Sequence, residues 1–375
     1  MPDNRLRLVM VLDWFFYYAA SIANALAEEA DILFITREHG RELGVQGPVG
    51  IEKRAALDRR VQLIMLRSRQ SDLGQSINEV RWARAMVRAF RPDVVHEQPH
   101  NDWRLRCTAE CVDVPHVLTV HDVTPHLAAH YRKNLVHRAV ERQLFRSADA
   151  FIVHGRHQSD LAERQPWRRV AASVHVIPHG ALAQPSAPSP LPEKPTLLFF
   201  GRVEFYKGLD VLVKAVRLLE PKLGVRVVVA GKGTDLERCR AFAGEAPQFE
   251  WRTGFVHDDD LPRLFAEASV VVLPYREASQ SGVIPLAYAN RRAVIASDVG
   301  SLADAVFDGR TGMLVPPEDP RALARAIERA LGDRVALEAM SDAAHDIVTS
   351  GALSPAAIAA QHFAVYRELL RVDMA

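Results

Sequence analysis

Short, uninterrupted apolar runs alternate with longer amphipathic stretches along the whole chain. The early runs are Leu6–Leu12, Asp31–Thr36, Val61–Leu66, Asp93–His96, His116–Val120, Ala150–Val153 and Val174–Ile177. None alternates with a two-residue period. Each therefore reads as a strand buried on both faces, the pattern of a parallel sheet. Between them, segments near Trp14–Glu29, Gln75–Phe90, Trp103–Cys111, His126–Phe145 and Gln158–Glu163 carry helical spacing. The pattern restarts with strands expected at Thr196–Phe200, Arg226–Ala230, Phe249–Arg252, Val270–Leu273, Ala293–Ala296 and Gly312–Val315. Helices are expected near Gly208–Leu219, Leu236–Phe242, Asp260–Ala268, Gly282–Ala289 and Pro320–Leu331, with two more closing the chain, the last near Pro355–Leu370. Strand and helix in strict turn predict an α/β protein whose parallel sheets are covered on both faces.

The alternation breaks once. Ala183–Pro195 holds five prolines in 13 residues and fits neither a helix nor a central strand. We read residues 184–195 as a linker between two Rossmann-like, doubly wound domains, 1–183 and 196–352. A C-terminal helix within 353–375 is expected to pack back on the first domain. Two such domains place the expected binding cleft between them, where open α/β sheets bind ligands.

Composition removes several classes. With 47 basic and 46 acidic residues the formal charge is +1, which carries no nucleic-acid signature. Three cysteines in 375 residues exclude a disulfide framework, and no C-x-x-C pair is present. The apolar run Val9–Ile22 is broken by Asp13 and lacks the order of a signal peptide. No run reaches the roughly 20 apolar residues that span a bilayer. The expectation is a cytoplasmic protein, with room for a peripheral contact of the N-terminal domain at the inner face of a membrane.

Candidate chemistry gathers at strand ends. The first motif is Gly201-Arg-Val-Glu-Phe-Tyr-Lys-Gly208, between a strand and a helix. There Arg202 can grip phosphate oxygens bidentately and Lys207 adds a point charge, although a solvated pair beside a turn would look the same. A second turn, Ala230-Gly-Lys-Gly233, is too short for the dinucleotide fingerprint, but Gly231 allows a close backbone approach. The third is Pro274-Tyr-Arg-Glu-Ala-Ser-Gln-Ser-Gly282, where the amides of Ser281, Gly282 and Val283 open a helix and could face an anion. Simple capping by Ser279 or Ser281 is the plainer alternative. Histidines crowd the first half, with twelve of 15 before the linker. His96 and His100, like His126 and His130, have a spacing zinc would accept, but no compact ligand set completes them and no metal is expected.

Taken in order, these motifs resemble the carboxyl-terminal half of the retaining, sugar-nucleotide-dependent glycosyltransferases of family 4, which have the GT-B fold. The resemblance runs from Leu197 to about Leu331 and includes Thr253-Gly-Phe-Val256, Ala293-Val-Ile-Ala-Ser-Asp-Val-Gly300 and Asp308-Gly-Arg-Thr-Gly312. It implies a nucleoside-diphosphate sugar as donor, a hexose as the usual transferred group, and no metal or other cofactor. Arg202 and Lys207 would hold the diphosphate. Gly231, Phe255 and Val256 would border the nucleotide, and Gln280 with the Ser281–Val283 amides would meet the phosphates. Glu277 stands near the first of the family's two glutamates. The second position falls on Leu286, which can accept no hydrogen bond; a subset with a Ser-Gln-Ser-Gly loop shares this departure.

In the first domain the resemblance is thinner. His121 matches a histidine beside the transferred sugar, Asp122 and Asp13 would lie on the acceptor side, and His154-Gly155 and His179-Gly180 also end strands. The glycine-rich loop that many relatives carry after the first strand is replaced by Asp13-Trp-Phe-Phe-Tyr-Tyr18, some of whose rings are expected in the core and others free to stack on a sugar. The acceptor would be a hydroxyl of a saccharide, a lipid-linked sugar or a small metabolite. Two alternatives compete: a non-catalytic sugar-nucleotide-binding relative, suggested by Leu286, and a nicotinamide oxidoreductase. The missing G-x-G-x-x-G argues against the second.

Overall fold

The computed structural model describes residues 5–13, 16–38, 54–69, 71–123, 135–180 and 189–372. The chain divides into two units, Met1–Ile177 with Pro355–Ala375, and Pro178–Ser354.

The first unit is a seven-stranded sheet of order β3-β2-β1-β4-β5-β6-β7. Its strands are β1 (Leu6–Val11), β2 (Ala30–Arg37), β3 (Gln62–Leu66), β4 (Val94–Glu97), β5 (His116–Thr119), β6 (Ala150–Val153) and β7 (Ser173–Val176), all parallel. Successive side chains of one strand face opposite sides. Both sides are covered, which explains the unbroken apolar runs. Val9 and Val11 of β1 join Leu33, Ile35 and Ile64 beneath the helices Leu73–Phe90 and Trp103–Ala109. Leu8 and Met10, on the other side, are equally buried. Asp72 and Asp102 start those two helices by accepting the Gln75 and Arg104 amides. The last helix, Pro355–Val372, packs on the first, Phe16–Leu26, within this unit.

The second unit is a six-stranded parallel sheet of order β10-β9-β8-β11-β12-β13. Its strands are β8 (Thr196–Phe200), β9 (Arg226–Gly231), β10 (Phe249–Thr253), β11 (Val270–Leu273), β12 (Val294–Ser297) and β13 (Gly312–Val315). Leu197, Phe199, Val227 and Val229 face the helices Leu209–Val216 and Pro320–Gly332. Leu198, Val228, Val271 and Leu273 face Leu261–Ala266, Val283–Ala289 and Arg334–Thr349. The α/β class with two parallel sheets is as the pattern predicts.

Some boundaries differ from expectation. Strands β9 and β10 run one residue further, because the Gly254 amide still reaches the Gly231 carbonyl at 3.1 Å. The expected helix Gly208–Leu219 stops at Val216, where Leu218 turns back to the Ala215 carbonyl. The expected helix His126–Phe145 begins outside the described residues and is seen as Leu135–Ser147. Within the proline-rich stretch, Ser189–Pro192 belongs to the second unit. Arg292 donates to the carbonyls of Ser189 and Pro190, Arg334 to those of Leu191 and Pro192, and Leu191 is buried in the core. Proline removes donors but leaves carbonyls, and two arginines use them.

Candidate functional site

In both sheets the strand order reverses beside the first strand of the unit. The carboxyl ends flanking that reversal are where ligands bind in open α/β sheets.

In the second unit these are the ends of β8 and β11. After β8 the chain turns through Gly201 and a short 3-10 segment, Phe205–Lys207, before the helix Leu209–Val216. Gly208 sits at φ 65°, and a Cβ there would collide with the Pro274 carbonyl oxygen at the end of β11. Only glycine lets the two loops approach so closely. Arg276 then ties them. Its amide donates to the Tyr206 carbonyl at 2.7 Å, and its guanidinium donates to the Phe205 carbonyl at 2.8 Å and to both Asp210 oxygens at 2.9 Å. Gly231, at φ 147°, packs its backbone against the Gly201 carbonyl, which brings the turn after β9 to the same edge.

The result is an ordered cationic corner. Lys207 is buried, with Nζ donating to the Tyr275 hydroxyl at 2.9 Å and lying 4.8 Å from the ring centroid. That hydroxyl is 3.4 Å from Ser281 Oγ, which also accepts from the Val283 amide at 3.3 Å. A Cβ on Gly201 would be 3.5 Å from Lys207 Nζ and 3.9 Å from Val283 Cγ2, so Gly201, Lys207 and the start of the helix Val283–Ala289 converge. Arg202 is exposed and, among the described residues, reaches the Tyr206 hydroxyl at 3.5 Å. Among the described residues neither cation meets a carboxylate. Gln280 Oε1 is buried without a hydrogen-bond partner.

The other expected positions spread around this corner. Glu277 is exposed on the loop after β11. Phe255 is exposed, edge-on to His257 at 5.1 Å and 5.9 Å from Lys232 Nζ, while Val256 packs on the core. Leu286 lies in the apolar cluster with Tyr275 and Ile284, so its side chain belongs to the core face of its helix. Sequence reasoning overlooked Tyr275 and Arg276. Their signal was present, a tyrosine and an arginine directly after a buried strand.

In the first unit the strand ends carry histidines and paired charges. His121 follows β5 and is buried, with Nε2 3.1 Å from Gln98 Oε1 and Nδ1 3.0 Å from His154 Nε2. Asp122 beside it is exposed. Asp13, after β1, is buried against Arg37, which also lies 3.8 Å from Asp102. Burial pushes the Asp13 carboxyl above its ordinary value, and Arg37 only partly restores it. Of the aromatic run, Phe16 and Tyr18 are buried and Tyr17 is exposed; Trp14 and Phe15 lie outside the described residues.

The histidines of the metal alternative have other partners. His96 bonds Tyr366 Oη and Thr119 Oγ1, both at 2.7 Å. His100 bonds Glu97 at 3.1 Å, and His126 and His130 lie outside the described residues. Glu97, which sequence reasoning did not single out, is the hub of a buried network with His100, His116 and Arg106. Burial opposes its charge, but bonds from both histidines and the Arg106 charge hold its carboxyl far below the usual range. Among the described residues one trio, Asp210, Asp235 and Cys239, brings ligand-type atoms together. Arg276 and Arg238 already neutralise its carboxylates.

Comparison with known proteins follows the same division. A family model described as glycosyl transferases group 1 matches residues 194–333, and one described as a glycosyl transferase 4-like domain matches residues 17–180. The glycogen synthase of Mycobacterium tuberculosis is 29% identical over 279 residues, 70% of this chain and 66% of its own length. A D-inositol 3-phosphate glycosyltransferase of Corynebacterium diphtheriae is 28% identical over 322 residues, 76% of this chain and 73% of that protein. The match thus spans about two thirds of these relatives' length. In fold, a sucrose-phosphate synthase from Thermosynechococcus elongatus superposes with a TM-score of 0.69 at 20% identity, over 98% of this chain and 100% of the other. The Anabaena protein HepE in complex with UDP-glucose gives 0.71 at 16% identity, over 97% and 100%.

Proposed function

The chain belongs to the family 4 glycosyltransferases of the GT-B fold, and from that premise we propose that it moves a sugar, with retention at the anomeric carbon, from a nucleoside-diphosphate sugar to an acceptor hydroxyl. The observation that carries this reading is the pair of cations without carboxylates, Lys207 and Arg202, at the strand reversal of the second unit. A leaving diphosphate develops negative charge, and donors fixed in advance stabilise that charge without reorganising. Lys207, held by Tyr275, meets this requirement. Arg202 adds a planar fork for two phosphate oxygens. The Ser281–Val283 amides, of which that of Val283 is capped by Ser281 Oγ before a donor binds, complete the phosphate contacts with Gln280, and Gly231, Phe255 and Val256 border the nucleotide. That solved relatives were obtained with UDP or UDP-glucose supports a nucleotide-sugar donor.

In the reaction the bond from the anomeric carbon to the diphosphate oxygen breaks. The acceptor oxygen bonds to that carbon from the same face, and its proton passes to a phosphate oxygen of the departing diphosphate. Glu277 orients hydroxyls of the donor sugar, as does His121, and Asp13 and Asp122 lie on the acceptor side. The acceptor is a hydroxyl of a saccharide, a lipid-linked sugar or a small metabolite. No metal is required, because fixed cations already serve the leaving group. No helix among the described residues is long and apolar enough to cross a membrane, and a lipid-linked acceptor would bring peripheral contact at most.

Arg202→Ala tests the reading through turnover of UDP-glucose and related donors. We expect a loss of roughly 10²-fold, about 3 kcal/mol, with parent activity unaffected by exhaustive chelation. Near-normal turnover in the variant removes the diphosphate assignment, and a specific metal requirement removes the cation argument.

A further inference from the structure

His121 lies two residues past the end of β5, and His154 and Ile177 directly follow β6 and β7; the three strands are neighbours in one sheet. Their polar atoms form a continuous series. His154 Nδ1 is 3.0 Å from the Ile177 carbonyl oxygen, and His154 Nε2 is 3.0 Å from His121 Nδ1. Both histidines are almost wholly buried.

The series dictates where the hydrogens lie. A carbonyl oxygen only accepts, so His154 Nδ1 carries a hydrogen and donates it to Ile177. In neutral His154 the other nitrogen, Nε2, is then bare and accepts. His121 Nδ1 must therefore donate, and neutral His121 is left with its lone pair on Nε2. That atom is 3.1 Å from the end of the Gln98 side chain. With the amide turned so that its NH2 faces the ring, Gln98 donates to the lone pair. The amide oxygen then takes the place of the nitrogen that is buried without a partner in the opposite orientation.

The backbone around the pair is fixed as well. Gln158 donates to the His121 carbonyl at 2.5 Å and accepts the His154 amide at 2.9 Å. Tyr18 stands edge-on to both rings, at 5.3 and 5.6 Å between centroids.

We propose that His154 is a positioning residue that sets the tautomer of His121, so that the imidazole presents an acceptor lone pair at Nε2. In the unliganded protein Gln98 fills that position; during the reaction a hydroxyl of the transferred sugar takes its place and donates to the ring. The functional half of this proposal rests on reading His121 as a sugar contact. The tautomer half does not.

The test is nitrogen NMR on protein carrying ¹⁵N-labelled histidine, with no ligand added, together with turnover of UDP-glucose. In the parent, His121 should show a protonated Nδ1 and a bare Nε2. His154→Leu removes the acceptor, so His121 should become a mixture of tautomers and turnover should fall about tenfold or more, with KM little changed. His154→Gln keeps an acceptor oxygen and should retain the parental tautomer and more of the activity. It also carries the test if the leucine variant does not fold. A protonated Nε2 on His121 in the parent, or an unchanged tautomer in His154→Leu, overturns the relay. Unchanged turnover in His121→Ala overturns the sugar-contact reading, a failure the nitrogen shifts do not share.

Discussion

Both sheets reverse strand order beside the first strand of their unit, yet cations at the two reversal points differ in their partners. Among the described residues of the first unit, the buried guanidinium groups of Arg106 and Arg104 and the half-buried one of Arg37 each have a carboxylate, Glu97, Asp102 and Asp13. In the second, Arg276 is matched by Asp210, but Lys207 and Arg202 meet hydroxyls and, among the described residues, no carboxylate. A cation held without a counter-charge by a buried tyrosine is costly unless an anion arrives. On the proposed function, the unmatched cations of the second unit would meet the anionic end of the reaction. On the same reading, the histidines of the first unit would handle hydroxyls.

The comparison breaks most violently where a matched pair is broken. Arg106→Met leaves Glu97 buried with two histidines and no guanidinium. It should cost about 3–5 kcal/mol of stability, measured by urea unfolding, because an uncompensated buried charge remains. Arg202→Ala should leave unfolding nearly unchanged while removing activity. If the two variants exchange these phenotypes, the division between structural and functional cations is wrong.

Leu286→Glu probes the core face beneath the cationic corner. It puts a carboxyl among Tyr275 and Ile284, so stability should fall by about 3 kcal/mol with no gain in UDP affinity. A gain in turnover instead would mean that leucine marks a decayed site, and would favour the non-catalytic alternative for the parent chain.

A smaller effect concerns pH. His362 in the helix Pro355–Val372 is pushed down to about 4 by burial, with its bond to the Ile358 carbonyl opposing. Its unfolded value lies near about 6.5. Between those values the unfolded chain binds the proton and the folded one does not, so stability is lost as pH falls. From about pH 7 to about pH 5 this one group should remove about 2 kcal/mol, and His362→Leu should flatten that part of the dependence of stability on pH. An unchanged slope would mean that the helix does not hold a neutral histidine.

Much of this organisation is legible in the residues themselves. Unbroken runs such as Val227-Val-Val-Ala230 announce parallel strands because both faces are buried, and the Gly201–Gly208 spacing marks the loop that carries both cations. What stays hidden is contact between segments distant in sequence. Lys207 shows its charge but not its partner Tyr275, 68 positions away. Glu97 looks like one more polar residue after a strand until His100, His116 and Arg106 close on it. Spacing invited a zinc reading of His96 and His100, but the neighbouring strand and the last helix give His96 Thr119 and Tyr366 instead. Periodicity records which face is buried, not which polar atoms meet there.

The central claim is that the unmatched cations of the second unit await the donor diphosphate. Calorimetric titration of UDP and of uridine into the parent and Lys207→Met tests it most directly. The variant should bind UDP about 10- to 100-fold more weakly, as expected for a lost charge-assisted hydrogen bond, while uridine should distinguish the two proteins little. Equal affinity of both proteins for UDP would contradict it.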